Sequence, residues 1–98
     1  MSRIDWSEQA IADFEAALAY IAGDSLANAE LVRGRILNTV KYLESFSLGT
    51  LAPNGTFKLY IPKTSYFVVF RRDAKDNISI RAFIHAARDW EKVNWDKI

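Results

Sequence analysis

Few side chains in this sequence can do chemistry. Its one histidine, His85, closes an alternating apolar run, with Arg88 three positions on and Arg81 four positions before it. Lys58 and Arg71 lie in two earlier runs of the same alternating kind. An imidazole can exchange a proton near neutral pH, and cations of this type stabilise phosphate charge. Cysteine is absent, which removes disulfides, thiolate nucleophiles and cysteine metal sites together. A zinc site built on one histidine would need carboxylates to complete it, so no metal and no cofactor is expected. Each of these residues also has an ordinary structural reading. A lone histidine at a strand end is more often a hydrogen-bonded structural group, because catalysis needs partners within reach. Arg88 and Asp89 can form a surface ion pair of little energetic worth. Trp90 is more often a packing anchor than a ligand.

The elements that must position these groups follow from periodicity. Ile11, Phe14, Leu18 and Ile21 recur at helical spacing behind Ser7, a cap residue, and Gly23 offers a helix end. Asp24 and Ser25 provide a second cap, and Ala29, Val32, Ile36, Val40 and Leu43 line one face of a second helix, with Leu37 flanking. Gly34 costs that helix about 1 kcal/mol relative to alanine, which a close helix–helix approach would explain. So short a link predicts an antiparallel helical hairpin. Ser47–Gly55 reads as a loop. Phe57–Ile61, Tyr66–Phe70 and Ile78–His85 are rich in alternating, β-branched and aromatic residues and predict three strands of an antiparallel meander. Arg3–Trp6 can add a short strand. The expected fold is therefore α+β, in the order β-α-α-β-β-β, with the helical hairpin packed on one face of a four-stranded antiparallel sheet.

Strict alternation assigns faces. With Leu59, Ile80 and Ile84 toward the helices, Lys58, Tyr60, Arg81, Phe83 and His85 fall on the open face. From the middle strand either Phe67, Val69 and Arg71 or Tyr66, Val68 and Phe70 join them; the charge on Arg71 favours the first set. Lys63, Arg72 and Arg88 lie near its ends. Cations interleaved with aromatics can hold phosphates and stack bases, and they can equally be a solvated face with snorkelling stems. Contact with a partner protein ranks first for this surface, plain solvent second and nucleic acid third, because contiguous exposed aromatics on a small protein usually mark contact sites.

Length and composition set the outer limits. The 98 residues make one domain, 1–98, and 50% hydrophobic content excludes disorder by composition. Formal net charge is +1, so bulk charge announces neither nucleic acid nor membrane as a partner. No apolar run approaches a membrane span and no secretory signal is evident, so a cytoplasmic protein with no membrane partner is expected.

Tyr66-Phe-Val-Val-Phe-Arg71, Ile78-Ser-Ile80 and His85-Ala-Ala-Arg-Asp-Trp90 resemble the C-terminal half of RelE/ParE-type toxins. Trp6, Ala10, Asp13 and Tyr20-Ile21 are similar to that superfamily's opening helix, and Ala29 and Ile36 to its second. The resemblance spans nearly the whole chain, and His85–Trp90 after a β-hairpin is its most specific part. It implies the toxin of a type II toxin–antitoxin pair, growth inhibition, and a cognate ParD-like antitoxin that folds on binding. Tyr20, Leu31, Leu37 and Tyr42 do not all fit inside one core and are candidate antitoxin contacts.

The superfamily implies two toxicities. The RelE branch cuts messenger RNA on the ribosome, whereas the ParE branch poisons DNA gyrase. Cleavage of that type needs a base, an acid and cations around the phosphorane. Where RelE-like enzymes carry an arginine just after the tyrosine that opens the middle strand, this chain has Phe67. Trp90 stands where a tyrosine acid would be expected. The resemblance thus favours a ParE-like, non-nuclease toxin, with Lys58, Tyr60, Phe67, Arg71, Arg81, Phe83, His85, Arg88 and Trp90 as candidate target or antitoxin contacts. The alternative is a RelE-like endoribonuclease using His85, Arg81, Lys58, Arg71 and Arg88. A family member without toxicity, kept as a repressor partner, is a third possibility.

Overall fold

Two serines fix the helical boundaries. In the computed structural model, which describes residues 3–98, strand β1 (Ile4–Trp6) stops at Ser7, whose Oγ accepts the Ala10 N–H at 3.1 Å and opens α1 (Glu8–Asp24). A cap of this kind contributes about 1 kcal/mol. Ser25, in extended conformation at φ −156° and ψ 111°, closes α1 and opens α2 (Leu26–Lys41) by accepting the Asn28 N–H at 3.1 Å. Gly23, expected as the end of the first helix, lies inside it.

The helices form the expected antiparallel hairpin over one face of the sheet. Ala10, Phe14, Ala17 and Ile21 of α1 meet Val32, Ile36 and Val40 of α2 and the sheet beneath. Phe14 and Ile21 hold their expected places, while Ala10 and Ala17 stand where Ile11 and Leu18 were expected, leaving Ile11 41% exposed. Gly34 has no tight neighbour: a Cβ built on it would meet nothing within 4 Å. The expected close approach of helices at this glycine is not there.

After α2 a helical turn at Tyr42–Glu44 leads to β2 (Thr50–Ala52), and a turn at Pro53–Gly55 leads to β3 (Thr56–Tyr60). Gly49 is needed at the entrance to β2: its φ is +98°, and a Cβ there would stand 2.9 Å from the Phe70 ring. β4 (Tyr66–Arg72) and β5 (Ile78–His85) follow. The sheet has five strands in the order β1-β5-β4-β3-β2. Two expectations are corrected here. The segment read as a loop supplies the extra edge strand β2, antiparallel to β3. β1 runs parallel to β5, so the sheet is mixed. No hairpin turn ties β1 to a neighbour, and so nothing local sets its direction. The meander of β3, β4 and β5 is antiparallel as expected.

One residue decides which side chains face which way. Val69 pairs with Ala82 but Phe70 pairs with Ile80, so Arg81 is an unpaired extra residue in β5. This bulge reverses the alternation beyond it. Ile78, Ile80 and Phe83 all join the core beneath the helices, with Tyr66, Val68 and Phe70, while Ala82 and Ile84 turn to the other side. Three expected assignments are therefore reversed: Ile84 faces away from the helices, Phe83, expected on the open face, is buried beneath them at 6% exposure, and His85, expected beside it on the open face, shares the side of Tyr66, its partner on β4.

The far face is not open either. Phe67, Val69, Ala82 and Ile84 form a second apolar cluster there, covered by Ala86, Val93, Trp95 and Ile98 from the last part of the chain. Phe67, expected as an exposed aromatic, is 2% exposed. The far face is too apolar to leave in water, since burying a side chain of this size stabilises by roughly 1.5–3 kcal/mol, and the tail supplies the cover.

Candidate functional site

The candidate residues separate into two places. Lys58, Tyr60 and Arg71 belong to the tail-covered side of the sheet. Lys58 Nζ lies 5.6 Å from the centre of the Tyr60 ring and 5.9 Å from that of Phe67, and those two rings are 5.2 Å apart. Tyr60 remains 53% exposed. Arg71 is committed to structure. Its Nη1 donates to the Asn54 carbonyl at 2.8 Å, and its Nε and Nη2 both donate to the backbone oxygen of Ile98. Asn54 completes the latch, its Nδ2 donating to the Trp95 carbonyl at 2.8 Å and to Asp96 Oδ1 at 3.2 Å. Asn54 holds a left-handed φ of 62° to do this, a conformation that asparagine tolerates better than most residues.

Arg81, His85 and Arg88 occupy the second place. They line a groove of about 840 Å³ that runs along β5, with α1 on one side and the tail on the other. From α1 it is lined by Gln9, Asp13, Ala16, Ala17 and Tyr20, which share one helical stripe. The two alanines keep that wall low. Lys92, Val93, Asn94, Lys97 and Ile98 form the opposite wall. Lys58 and Arg71 do not line it.

His85 is already engaged at one nitrogen. Its Nδ1 accepts the Arg88 N–H at 3.1 Å, which leaves Nε2 as the ring's remaining polar atom. The ring stands edge-on to Tyr66, with centres 5.2 Å apart, and Tyr66 stacks on Phe83 at 4.8 Å. Burial pushes the Tyr66 phenol above its usual pKa, opposed in part by the Arg88 charge, so the hydroxyl stays protonated through neutral pH. Arg88 pairs with Asp89 at 3.2 Å and lies 6.0 Å from the centre of the Tyr20 ring. Trp90 is 55% exposed, not packed as an anchor. Tyr20, Leu31 and Tyr42 are exposed on the helical hairpin, and Leu37 is half-buried. Among the described residues no cluster of three or more histidines and carboxylates is placed to hold a metal ion, and no helix is long and apolar enough to cross a membrane.

Sequence reasoning missed Lys92, Lys97 and the α1 stripe as groove residues. The signal was there in part: a tail carrying Val93, Trp95 and Ile98 had to pack on something, and its lysines had to follow it.

A family described as the ParE toxin of the type II toxin–antitoxin system parDE matches residues 4–90. The chain belongs to this family. In solved structures the ParE-family chain is similar to a protein of the chromosomal ParDE system from P. aeruginosa. That match has a TM-score of 0.76 and 21% identity, and covers 87% of this chain and 96% of the other. It is also similar to the isolated E. coli RelE toxin, at a TM-score of 0.58 and 15% identity over 99% of this chain and 97% of the other. A chain of the intact E. coli RelBE toxin–antitoxin complex matches at a TM-score of 0.57 and 15% identity, over 90% of this chain and 100% of the other. At these identities the structural likeness speaks for the fold. Among curated proteins none matches by sequence. The family match ends at Trp90, so the stretch of tail that carries Lys92, Val93, Trp95 and Ile98 lies outside it.

Proposed function

We propose that the chain is the toxin of a type II toxin–antitoxin pair that acts in the cytoplasm by binding its target, a ParE-like inhibitor of DNA gyrase, and is neutralised by a ParD-like antitoxin that folds on it. The observation that carries this reading is the ParE family match over residues 4–90. The placement of the basic residues supports binding over cleavage. Arg71 is spent on the tail latch, and Lys58, over the Tyr60 and Phe67 rings, does not line the groove that holds Arg81, His85 and Arg88. The base, acid and phosphate-holding cations that a nuclease needs within one reach are thus divided. The residues offered to the target or the antitoxin are the accessible candidates Lys58, Tyr60, Arg81, His85, Arg88 and Trp90, while Phe67 and Phe83 support them from within.

Induction in a bacterial host tests the reading, with separate measurements of plasmid supercoiling, DNA breaks and messenger integrity. Arrested growth with relaxed or broken DNA and intact messages is the expected result, and purified chain should block supercoiling by gyrase. Co-expressed antitoxin should restore growth. A ribosome-dependent endoribonuclease is the second reading, favoured by the presence of Arg81, His85 and Arg88 on one groove. Codon-linked message cleavage that is abolished by His85→Ala or Arg81→Ala would establish it, and normal growth on induction would sink both.

A further inference from the structure

β5 is longer than the strand that covers its outer edge. β1 pairs with it only from Ile78 to Ile80, because Ser7 then turns the chain into α1. Ser7 itself extends the cover by one position, its N–H donating to the Ile80 carbonyl at 2.8 Å and its Oγ to the Arg81 carbonyl at 3.3 Å. Beyond that point the edge is bare. The alternation of an antiparallel ladder says which groups it shows. Ala86 N–H donates to the Ser65 carbonyl at 2.7 Å, so Ala86, Ile84 and Ala82 turn their backbone groups to β4, and Phe83 and His85 turn theirs outward. Asp89 N–H takes the His85 carbonyl at 2.9 Å. What is left facing the groove is the N–H and C=O of Phe83 and the N–H of His85. Among the described residues none of these has a protein partner.

A bare strand edge inside a groove is a template for another strand. The walls state the chemistry of that strand. Arg81, Lys92 and Lys97 have no carboxylate partner among the described residues, whereas the groove's two carboxylates are both engaged, Asp13 by Gln9 Nε2 at 2.9 Å and Asp89 by Arg88 at 3.2 Å. We propose that this groove binds an extended acidic segment of a partner protein, which adds as a strand to β5 over Arg81–His85 with its carboxylates on Arg81, Lys92 and Lys97. The tail, outside the family match, supplies two of these three cations. The proposal therefore concerns a specificity that this chain's own tail builds, and it holds whatever the target of the toxin is.

Selection from a displayed library of random nine-residue peptides on the full chain is the test. Enriched sequences should alternate apolar residues with Asp or Glu. A selected peptide should slow amide hydrogen exchange at Phe83 and His85 at least tenfold. The same peptide N-methylated at alternate residues, on the face that pairs, should bind at least tenfold more weakly. The pair Arg81→Glu and Lys92→Glu, both exposed positions checked for native circular dichroism, should weaken it similarly. No enrichment, enrichment of basic sequences, protection confined to another face, or full binding of the N-methylated peptide each overturns the proposal. So does a concentration-dependent dimer that itself protects Phe83 and His85, because the edge then belongs to a second copy.

Discussion

Asp73 shows how a single side chain ties pH to a turn. Its Oδ1 accepts the N–H groups of Lys75 and Asn77 at 2.8 and 2.9 Å, and its Oδ2 accepts Asn77 Nδ2 at 3.2 Å, all within the β4–β5 connection. The Asn77 backbone bond above all holds its carboxyl below the ordinary aspartate value. A lowered folded-state pKa means that the contribution is present above the unfolded value and is lost as pH falls through the folded one. Stability measured by urea midpoint should therefore fall below about pH 4, and Asp73→Ala should lower the midpoint at neutral pH while flattening that acid decline. An unchanged acid limb in the variant would remove Asp73 as its source. Arg71 is the second such residue. Arg71→Met keeps the stem but loses three donors to Asn54 and Ile98, and hydrogen bonds made by a charged group are worth about 1.5–3 kcal/mol each when broken. Exchange or proteolysis at the tail should accelerate well before global unfolding changes.

At the level of elements, periodicity was enough to find both helices and the three-strand meander, because each runs for several repeats with apolar residues on one side. Elements three residues long carry no period. β1 and β2 could be suspected or missed, but not oriented, from Ile4–Trp6 and Thr50–Ala52 alone. The face of β5 failed for a different reason. Ile78, Ile80, Ala82 and Ile84 look like one uninterrupted alternation, and only pairing with β4 reveals that Arg81 breaks it. Of the candidate residues, Arg81, His85 and Arg88 do come together, whereas Lys58 and Arg71, which an unbroken register would put on one face with Arg81 and His85, lie outside their groove. The helices make one prediction of their own. Gly34 sits in α2 with open space where a Cβ would be. Gly34→Ala should raise stability by about 0.5–1 kcal/mol, read as a higher thermal midpoint, and a decrease would show that a partner or neighbour needs that gap.

The whole molecule is a sheet with two covers, one made of helices and one made of tail. The second cover is Val93, Trp95 and Ile98 with Ala86, and the four residues beneath it share one face only because Arg81 interrupts the alternation; an unbroken register would put Ala82 and Ile84 on the opposite side from Phe67 and Val69. Removing residues 91–98 should expose Phe67, Val69, Ala82 and Ile84 together. The truncated chain is expected to bind a hydrophobic dye and to aggregate at concentrations where the full chain stays monodisperse; dye fluorescence measures the first and sedimentation the second. A truncated chain as soluble and as stable as the parent would mean that the tail adds little to the core.

The bulge at Arg81 has a consequence for how this molecule tolerates change in chain length. Substitution at that position keeps the count of residues and should leave the folded form intact. Deleting it would remove only the unpaired residue: Ile80 and Ala82 already oppose Phe70 and Val69, neighbours on β4, so Ala82, Phe83 and Ile84 would keep their faces, whereas removing Ile80 or Phe83 takes a core side chain away. A scan of single-residue deletions along β5, scored by soluble yield, should find position 81 the most tolerant of removal, and a loss there as large as at Ile80 or Phe83 would show that the extra residue is needed. The strand thus carries one spare residue, a place where its length can change without either interior being refilled.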